Sequence, residues 1–511
     1  MSAISKVFLG LARARALQRA LRARDPRPSQ ERTLRRLVAR ARRTAFGRRY
    51  DFDGIRDVHS FRERLPVLRY ADVESWFERA LDGERDVVWP GLIPYFAWSS
   101  GTTSGRKYLP ISMDQVRQQR INAFDPIATY LCATRDAGLM DGRAIFLGGA
   151  SELQERSGGV RVGVNTGIMQ NHVPALLRKR HLPSERTRAI GDWDQKMEAL
   201  ARESVDADVR FMAGCPSWFP GIFERVLEEA RSRGRNAKTI FDVWPNFRMM
   251  TGGGINYEPY RPILEKYLGG RARYVDLYNA TEGGILGVQD DPDDPAMLLI
   301  PDNDVYYEFV PIAEIGAASP RRFSLWETEP DVVYGLLVTT NAGIFSYLIG
   351  DCLRFTRTFP HRFTFEGRVG GWLNVVGELV SQAEVERAVA RAALDSEITL
   401  ADFTVSADVG IDGAGAARHV LFVESAAPAT LSALDRFARV FDAELFANNG
   451  DYAAHRACRA SLHGPVAIPL RRGAFHDWMK ARGKLGEQNK VPRILLDVSL
   501  RSALEALGAS A

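Results

Sequence analysis

Residues 98–107 bring hydroxyls, glycines and a basic pair together in one short segment, Trp-Ser-Ser-Gly-Thr-Thr-Ser-Gly-Arg-Lys. Glycine allows backbone N–H groups to approach a ligand closely, and serine and threonine hydroxyls add short donors. Arg106 and Lys107 supply positive charge. This combination is typical of a loop that binds a polyphosphate, although a polar surface turn explains the segment equally well when it is taken alone.

The spacing of the glycines excludes a Walker loop. That motif needs a glycine, four intervening residues, Gly-Lys, and then serine or threonine. Here only three residues separate Gly101 from Gly105, Arg106 follows, and Tyr108 stands where the metal-binding hydroxyl would be. Any nucleotide site in this chain is therefore of another kind.

A second polar segment, residues 278–284, places an aromatic ring, a hydroxyl and a carboxylate close together. Tyr278 could stack on a purine, and Thr281 could donate to a phosphate. Glu282 could bind Mg²⁺, a cation that takes oxygen ligands and keeps several waters. Alone, the segment is better explained as a turn at a strand end with a solvated glutamate.

Two further segments carry polar groups that suit the same chemistry. Residues 347–351 predict a strand that ends in Gly-Asp, and Asp351 could accept both hydroxyls of a ribose. Residues 483–493 form a second loop with glycines and basic residues, in which Lys490 could neutralise charge on a phosphorus centre. The alternatives are an ordinary Gly-Asp turn and a solvated basic loop.

The elements that must position these segments alternate along the chain. Short apolar runs that predict strands are separated by helical patterns, and each strand leads into a polar or glycine-rich turn. This pattern indicates an α/β sheet that binds ligands at its strand ends. The predicted strands are 144–149, 209–214, 247–251 and 274–278, and a helix is predicted over 217–231.

The character of the chain changes twice after these elements. From Val305 the pattern predicts strands and a smaller β-rich subdomain, and beyond Gly367 it predicts a compact α+β unit. The predicted fold class is therefore α/β. We predict a large N-terminal domain over residues 1–366 and a small, mobile C-terminal domain over 367–511, hinged at 367–371. The C-terminal predictions are helices over 381–393, 431–446 and 452–462, and strands over 401–405 and 420–424.

Composition limits the function classes. The chain has 511 residues, 45% of them hydrophobic, and a net charge of only +5, which argues against a dedicated nucleic-acid binder. The four cysteines are far apart, so a zinc site or a disulfide framework is not expected, and a cytoplasmic location is predicted. Since no apolar run approaches eighteen residues, no membrane span is expected.

The first 48 residues are arginine-rich and predict two helices separated by residues 25–29. The apolar residues of the first helix fall roughly on one face: Ile4, Val7, Phe8, Leu11, Leu17 and Leu21. A transit peptide, a membrane-surface helix and an RNA-binding arm are possible interpretations. We favour a helix that docks on the domain with its arginines solvated, because the segment lacks the serine content of a transit peptide and the interleaved aromatic residues of RNA binders.

In order and spacing, the four polar segments resemble the GH3 family of acyl-acid amido synthetases, in the adenylate-forming superfamily, and a member of bacterial type. The resemblance covers nearly the full length. Further matching segments are 44–48, 61–66, 89–91, 365–368 and 486–493. It implies that ATP and Mg²⁺ adenylate a small carboxylic acid, and that an amino acid or another amine then takes the acyl group to form an amide. It implies no nucleic-acid partner.

The resemblance also implies roles for particular residues. The phosphates would be held by Ser99, Ser100, Gly101, Thr102 and Thr103, and the α-phosphate also by Thr281. Adenine would lie against Tyr278 and Asn279, with the backbone of Gly253 and Gly254 as a wall. Asp351 would hold the ribose with help from Arg368, Glu282 would bind the metal, and Lys490 would be the catalytic lysine.

Two positions depart from the plant members of the family. Leu379 occupies the position of a lysine that those members carry soon after the hinge, which leads us to favour Lys490. Ala280 and Thr281 replace a Ser-Ser pair, and Thr281 keeps the hydroxyl. Two alternatives stay open: a ligase that transfers the acyl group to coenzyme A or a carrier protein, and a non-catalytic binding protein.

Overall fold

The computed structural model describes residues 3–100, 106–148, 151–291, 294–376, 378–409, 417–457, 462–485 and 489–507. The chain divides into two compact units. The first comprises Met1–Gly214, Arg225–Gly254 and Arg271–Phe365. The second comprises Cys215–Glu224, Ile255–Gly270 and Glu366–Ala511.

The helices are numbered in chain order over the described residues. They are α1 (Ala3–Arg24), α2 (Arg27–Ala41), α3 (Ala45–Arg49), α4 (Val58–Arg64), α5 (Tyr70–Leu81), α6 (Met113–Asn122), α7 (Asp125–Thr134), α8 (Asn165–Asn171), α9 (Ala175–Arg178), α10 (Glu185–Arg188), α11 (Trp193–Ser204), α12 (Phe219–Ser232), α13 (Arg261–Leu268), α14 (Gln382–Asp395), α15 (Leu431–Asn448), α16 (Gly450–Ala457), α17 (Ala474–Ala481) and α18 (Val498–Glu505).

The strands are numbered in the same way. They are β1 (Tyr95–Ser100), β2 (Arg106–Ile111), β3 (Arg143–Phe146), β4 (Gln154–Glu155), β5 (Arg161–Gly163), β6 (His181–Leu182), β7 (Val209–Ala213), β8 (Met249–Gly252), β9 (Arg273–Ala280), β10 (Gly284–Val288), β11 (Met297–Leu299), β12 (Val305–Pro311), β13 (Phe323–Ser324), β14 (Val333–Thr340), β15 (Tyr347–Arg357), β16 (Arg362–Arg368), β17 (Leu400–Val409), β18 (Ala417–Ser425) and β19 (Leu462–Leu470).

One large sheet organises the first unit, with the strand order β13-β12-β14-β15-β16-β11-β10-β9-β8-β7-β3-β6. The strands from β6 to β9 pair in parallel, as the alternation of strands and helices predicts. The strand-rich stretch from Val305 joins the same sheet through antiparallel pairs. A second sheet of the unit has the order β2-β1-β5-β4. The mixed α/β class is therefore confirmed.

The predicted elements differ from the observed ones at three places that bear on the argument. Residues 278–284 form an antiparallel hairpin of β9 and β10 rather than a loop after a strand, with Ala280 opposite Gly284. Asp351 lies within β15 and does not end it. The predicted helix over 452–462 is confirmed over 452–457, but its end is wrong, because α16 ends at Ala457 and Leu462 begins β19.

Helix α1 docks on the first unit, but its arginines are not all solvated. Arg15 Nε lies 2.8 Å from Asp125 Oδ1, and Arg22 Nη1 lies 2.9 Å from Asp302 Oδ2. Arg19 is buried and donates to the hydroxyl of Thr129 at 3.0 Å. The docking is therefore confirmed, and the prediction of solvated arginines is wrong for the side chains that hold the helix.

The second unit contains a sheet of order β17-β18-β19, with an antiparallel and a parallel pair. Helix α14 begins at a capping box, in which Ser381 accepts from the backbone N–H of Glu384. Its apolar residues recur every three or four positions, which gives it one buried face. That face comprises Val385, Ala388, Val389 and Ala392.

Candidate active site

Two of the predicted site residues, far apart in sequence, meet in the first unit. The hydroxyl of Tyr278 on β9 donates to Asp351 Oδ2 on β15 at 2.6 Å. Both side chains are nearly buried. The ring of Tyr278 packs edge-on against Phe363 and lies near Phe365, with centroid distances of 5.5 and 6.0 Å. The contact fixes the orientation of the Asp351 carboxyl group, because a buried carboxylate is held firmly by a donor that is itself packed.

A bulge explains how Asp351 leaves the regular pattern of its strand. Gly335 pairs with Cys352 and Leu337 with Leu348, so one residue of β14 faces three residues of β15. Gly350, just before Asp351, has a φ of +93°, which glycine adopts without strain. Bulges change the direction of a side chain next to functional sites. The Gly-Asp pair that predicted the end of a strand is therefore the signature of this bulge.

The turn between β9 and β10 carries Thr281 and Glu282, and amide side chains of α6 hold its backbone. Gln115 Nε2 donates to the carbonyls of Thr281 and Glu282 at 3.2 and 2.8 Å. Gln118 Nε2 donates to the carbonyl of Gly283 at 3.0 Å. Three consecutive carbonyls are thereby bound, so the turn has a fixed shape and Glu282 is only 9% exposed.

Sequence reasoning missed Gln115 and Gln118. A signal was available: they stand three residues apart, a spacing that places both on one face of a helix, and they lie within about fifteen residues of the first polar loop. Glutamine is seldom buried without a hydrogen-bond partner, and Gln115 is fully buried. A buried glutamine pair of this kind indicates a loop that needs support.

The glycines after β8 lie against neighbouring backbone. A Cβ atom on Gly253 would stand 2.1 Å from the carbonyl oxygen of Leu277, and one on Gly252 would stand 1.9 Å from that of Gly214. Gly254 has a φ of +87°. Only glycine allows this approach, so the segment lies beside β9, one residue before Tyr278. The backbone wall for an aromatic base stays a prediction for this segment.

The first polar loop is described only in part. Ser99 and Ser100 end β1, and their backbone pairs with Lys107 and Arg106 of β2. Gly101, Thr102 and Thr103 lie outside the described residues, as do the side chains of Ser99 and Ser100. Helix α6 begins two residues after β2, so the same short stretch of chain leads from this loop to Gln115.

The remaining predicted residues are distributed over both units. Asn279 is exposed on β9, between Tyr278 and the turn. Arg368 is exposed at the end of β16 and, like the partly buried Lys490, belongs to the second unit. Leu379, at the position of the plant lysine, is 44% exposed and has a φ of +39°.

Arg493 anchors the backbone that follows Lys490. Its Nη1 donates to Asp402 Oδ1 at 2.7 Å, and its Nη2 donates to the hydroxyl of Tyr260 at 2.7 Å. The backbone N–H of Val405 donates to the carbonyl of Arg493 at 2.9 Å. The guanidinium is almost fully buried, and the charge of Asp402 helps to keep it ionised although burial alone lowers the pKa of an arginine. The segment that carries Lys490 is therefore fixed at its C-terminal end.

The donor set suits a magnesium ion that arrives with a nucleotide. Among the residues that the structure describes, no three His, Cys, Asp or Glu side chains form a group that could hold a metal. Mg²⁺ in phosphate sites is commonly bound by one or two carboxylates together with substrate phosphates and water. Glu282, on its fixed turn, offers the single carboxylate that such a site requires.

None of the helices within the described ranges has the length and apolar character needed to cross a membrane.

Three domain models of one family match the chain. They are the GH3 family N-terminal domain over residues 18–197, the central domain over 298–368 and the C-terminal domain over 383–499. Their order along the chain agrees with the resemblance carried by the polar segments.

Curated relatives match over nearly the whole length. Indole-3-acetic acid-amido synthetase GH3.8 of Oryza sativa subsp. indica is 26% identical, with 91% of this chain and 87% of the relative covered. Jasmonoyl--L-amino acid synthetase JAR4 of Nicotiana attenuata is 23% identical, with 95% of this chain and 94% of the relative covered. The similarity is therefore not confined to one domain.

Solved structures share the fold. An AtGH3.15 acyl acid amido synthetase in complex with 2,4-DB has a TM-score of 0.79 at 20% identity, with 99% of this chain and 96% of that chain covered. A 2-hydroxyisobutyryl-CoA ligase in complex with 2-HIB-AMP has a TM-score of 0.59 at 14% identity, with 93% and 91% covered. The first fold is the more similar of the two.

Proposed function

The chain belongs to the GH3 family, and from this premise we propose that it is an acyl acid amido synthetase that joins a small carboxylic acid to an amine at the expense of ATP. A carboxylate oxygen attacks the α-phosphorus of ATP, and pyrophosphate leaves. The amine nitrogen then attacks the acyl carbon, an amide bond forms, and AMP leaves. The printed names of the relatives support an amino acid as the amine.

The observation that carries the proposal is the bond between Tyr278 and Asp351. It joins two polar segments that have no reason to meet if each is an ordinary surface turn. The glycines after β8 and the turn of Thr281 and Glu282 lie along the same strand as Tyr278. Two of the four polar segments, 278–284 and 347–351, thus meet at one end of β9, and the glycines after β8 lie beside the same strand.

We assign the nucleotide contacts on this basis. Asp351 accepts the ribose hydroxyls, with its carboxyl group oriented by Tyr278. Adenine lies between the ring of Tyr278 and the backbone of Gly253 and Gly254. Thr281 donates to the α-phosphate from a turn whose carbonyls are already bound by α6, so the hydroxyl needs little reorganisation on binding.

The triphosphate requires positive charge and hydrogen-bond donors. We propose that Ser99, Ser100 and residues 101–103 supply donors, and that Glu282 holds Mg²⁺. When bound there, the ion would supply charge neutralisation to the phosphates. Lys490 adds the cationic side chain of the C-terminal domain, residues 367–511, which we propose moves about residues 367–371 between the two half-reactions. Arg368 assists at the ribose, and the location is cytoplasmic.

A pyrophosphate-exchange screen tests the proposal. Many carboxylic acids are offered with ATP and labelled pyrophosphate, and exchange that depends on one acid identifies the first substrate. Amino acids or coenzyme A are then added with that acid, and the product is identified by mass spectrometry. An amide supports the proposal, whereas a thioester supports the CoA ligase alternative. A folded protein without exchange for any acid would favour a non-catalytic binding protein.

The metal assignment is tested by Glu282→Gln, which keeps the shape of the side chain. We expect exchange at limiting Mg²⁺ to fall at least about 100-fold, with partial recovery at high Mg²⁺, because the carboxylate is replaced by a weaker ligand. Glu155→Gln is the matched control, since Glu155 is exposed on β4. Equal exchange in Glu282→Gln and Glu155→Gln proteins would remove the metal role of Glu282.

A further inference from the structure

Helix α1 exposes a stripe of large apolar side chains. Val7, Leu11, Leu17 and Leu21 are 61%, 54%, 63% and 57% exposed. At 3.6 residues per turn these four positions occupy about a third of the circumference of the helix. A single exposed aliphatic side chain is ordinary, but four on one face of a helix form a patch, and such patches mark interaction sites.

The helix is held to the protein by its opposite face. Arg15 and Arg19 there approach Asp125, whose side chain is completely buried, and Ala12 and Ala23 are buried with them. Rolling the helix to bury the stripe would break these contacts and leave a buried carboxylate without its cations, which costs several kcal/mol. The outward position of the stripe is therefore fixed by the ion pairs.

The exposed basic side chains that border the stripe give its surroundings a positive charge. Residues 1–49 contain 15 basic and 2 acidic side chains, so their net charge is +13, whereas the rest of the chain has a net charge of −8. Lys6, Arg13 and Arg24 are exposed and border the stripe on one side of the helix. The partner of this surface must offer both an apolar phase and negative charge.

We propose that α1 binds the surface of an anionic phospholipid bilayer, with the stripe among the acyl chains nearest the headgroups and the bordering basic residues on the phosphates. Basic amphipathic helices lie in the membrane interface in this manner, with the apolar face a few ångströms deep. A nucleic acid supplies the negative charge but offers no apolar environment that would bury four aliphatic side chains. A second copy of the helix supplies an apolar face but brings like charges together, which disfavours it.

The full-length protein tests the proposal in a vesicle flotation assay. We expect binding to phosphatidylcholine vesicles that contain about 30% phosphatidylglycerol and little binding to phosphatidylcholine alone. The triple variant Leu11→Ser, Leu17→Ser, Leu21→Ser should bind the anionic vesicles at least about 30-fold more weakly. Its fold is checked by circular dichroism, because exposed positions tolerate serine.

A matched control replaces exposed leucines elsewhere. Leu394 and Leu431 are 65% and 79% exposed on the second unit, and the double variant Leu394→Ser, Leu431→Ser should bind as the wild type does. Replacing Lys6, Arg13 and Arg24 by glutamine should weaken binding to anionic vesicles about tenfold or more. A higher salt concentration should also weaken the binding of the wild type.

Three results would overturn the proposal. The first is equal vesicle binding by the wild type and the leucine triple variant. The second is a wild type that does not bind anionic vesicles and elutes as a dimer, while the triple variant elutes as a monomer. That result would assign the stripe to contact with a second copy of the chain. The third is RNA binding through residues 1–49 that is equal in the wild type and the triple variant, when neither protein binds vesicles.

Discussion

Replacing Tyr278 by phenylalanine isolates the contact on which the site depends. The substitution removes one hydroxyl and keeps the ring that packs against Phe363 and Phe365. What is lost is the donor at 2.6 Å from Asp351 Oδ2, in a place where both residues are at most 9% exposed. Without this donor, the carboxyl group of Asp351 is not held in one orientation before the nucleotide binds.

The size of the effect follows from the chemistry of the bond. A hydrogen bond to a charged group contributes about 1.5–3 kcal/mol, and an acceptor left without its partner in a buried place costs a similar amount. Since about 1.4 kcal/mol corresponds to a factor of ten, we expect kcat/KM for ATP in the exchange reaction to fall about 10- to 150-fold. The loss should fall mainly on KM, because the ribose does not react.

A double-mutant cycle measures the contact itself. Tyr278→Phe, Asp351→Asn and the double variant are compared by acid-dependent ATP–pyrophosphate exchange. If Tyr278 acts by orienting Asp351, the double variant is little worse than Asp351→Asn, with a coupling of about 1.5–3 kcal/mol. Tyr334→Phe is the control, because Tyr334 is a buried tyrosine of β14 outside the polar segments.

Two outcomes would refute this reasoning. If the two single effects add in the double variant, the bond does not orient the carboxyl group for the nucleotide. If Tyr278→Phe lowers the unfolding temperature as much as Tyr334→Phe does and leaves the exchange kinetics unchanged, the contact only stabilises the fold.

Two further predictions concern packing and protonation. Gly253→Ala should reduce nucleotide binding more than tenfold and destabilise the fold by about 1–3 kcal/mol, because its Cβ would stand 2.1 Å from the carbonyl oxygen of Leu277. Calorimetry measures the loss of stability, and the exchange assay measures the loss of nucleotide binding. Gly191→Ala is the control and should show neither loss, because the space around Gly191 is open. Burial lowers the pKa of His361 from 6.5 to about 4. The unfolded chain therefore takes up this proton first as the pH falls below 6.5, and about 3 kcal/mol of stability is lost between pH 6.5 and 4. Urea unfolding of His361→Phe should show a smaller loss over that range, and an unchanged loss would contradict the assignment.

The parallel part of the large sheet could be predicted from sequence because its strands are short, largely apolar and separated by helices. The runs ending near Ala213, Gly252 and Tyr278 were all found within a few residues of their observed limits. The pairing of the later strands was not predictable in the same way. Antiparallel neighbours are chosen by long-range contacts, and nothing local in residues 305–311 or 333–340 states which strand lies beside them.

Polar residues at bulges and turns were the hardest to place. Gly350 and Asp351 are equally compatible with a strand end and with a bulge, since a glycine with a positive φ serves in both. The pairing with β14 distinguishes a bulge from a strand end. Residues of β15 pair with β14 both before and after Gly350 and Asp351, so the strand continues beyond them. A single sequence segment cannot contain that information.

Helix α1 shows a related limit, and one that bears on function. Large apolar residues occur on more than one side of its sequence, and the hydrophobic effect alone does not decide which of them turn inward. Asp125 and Asp302, more than a hundred residues away, decide it, because they present carboxylates at the docking surface that arginines must match. A buried carboxylate without a cation costs more than an exposed leucine, so the ion pairs decide the orientation. Because the ion pairs set the orientation of α1, its apolar stripe remains exposed. The helix is therefore a fixed part of the first unit and, as we propose, also the surface that binds an anionic bilayer.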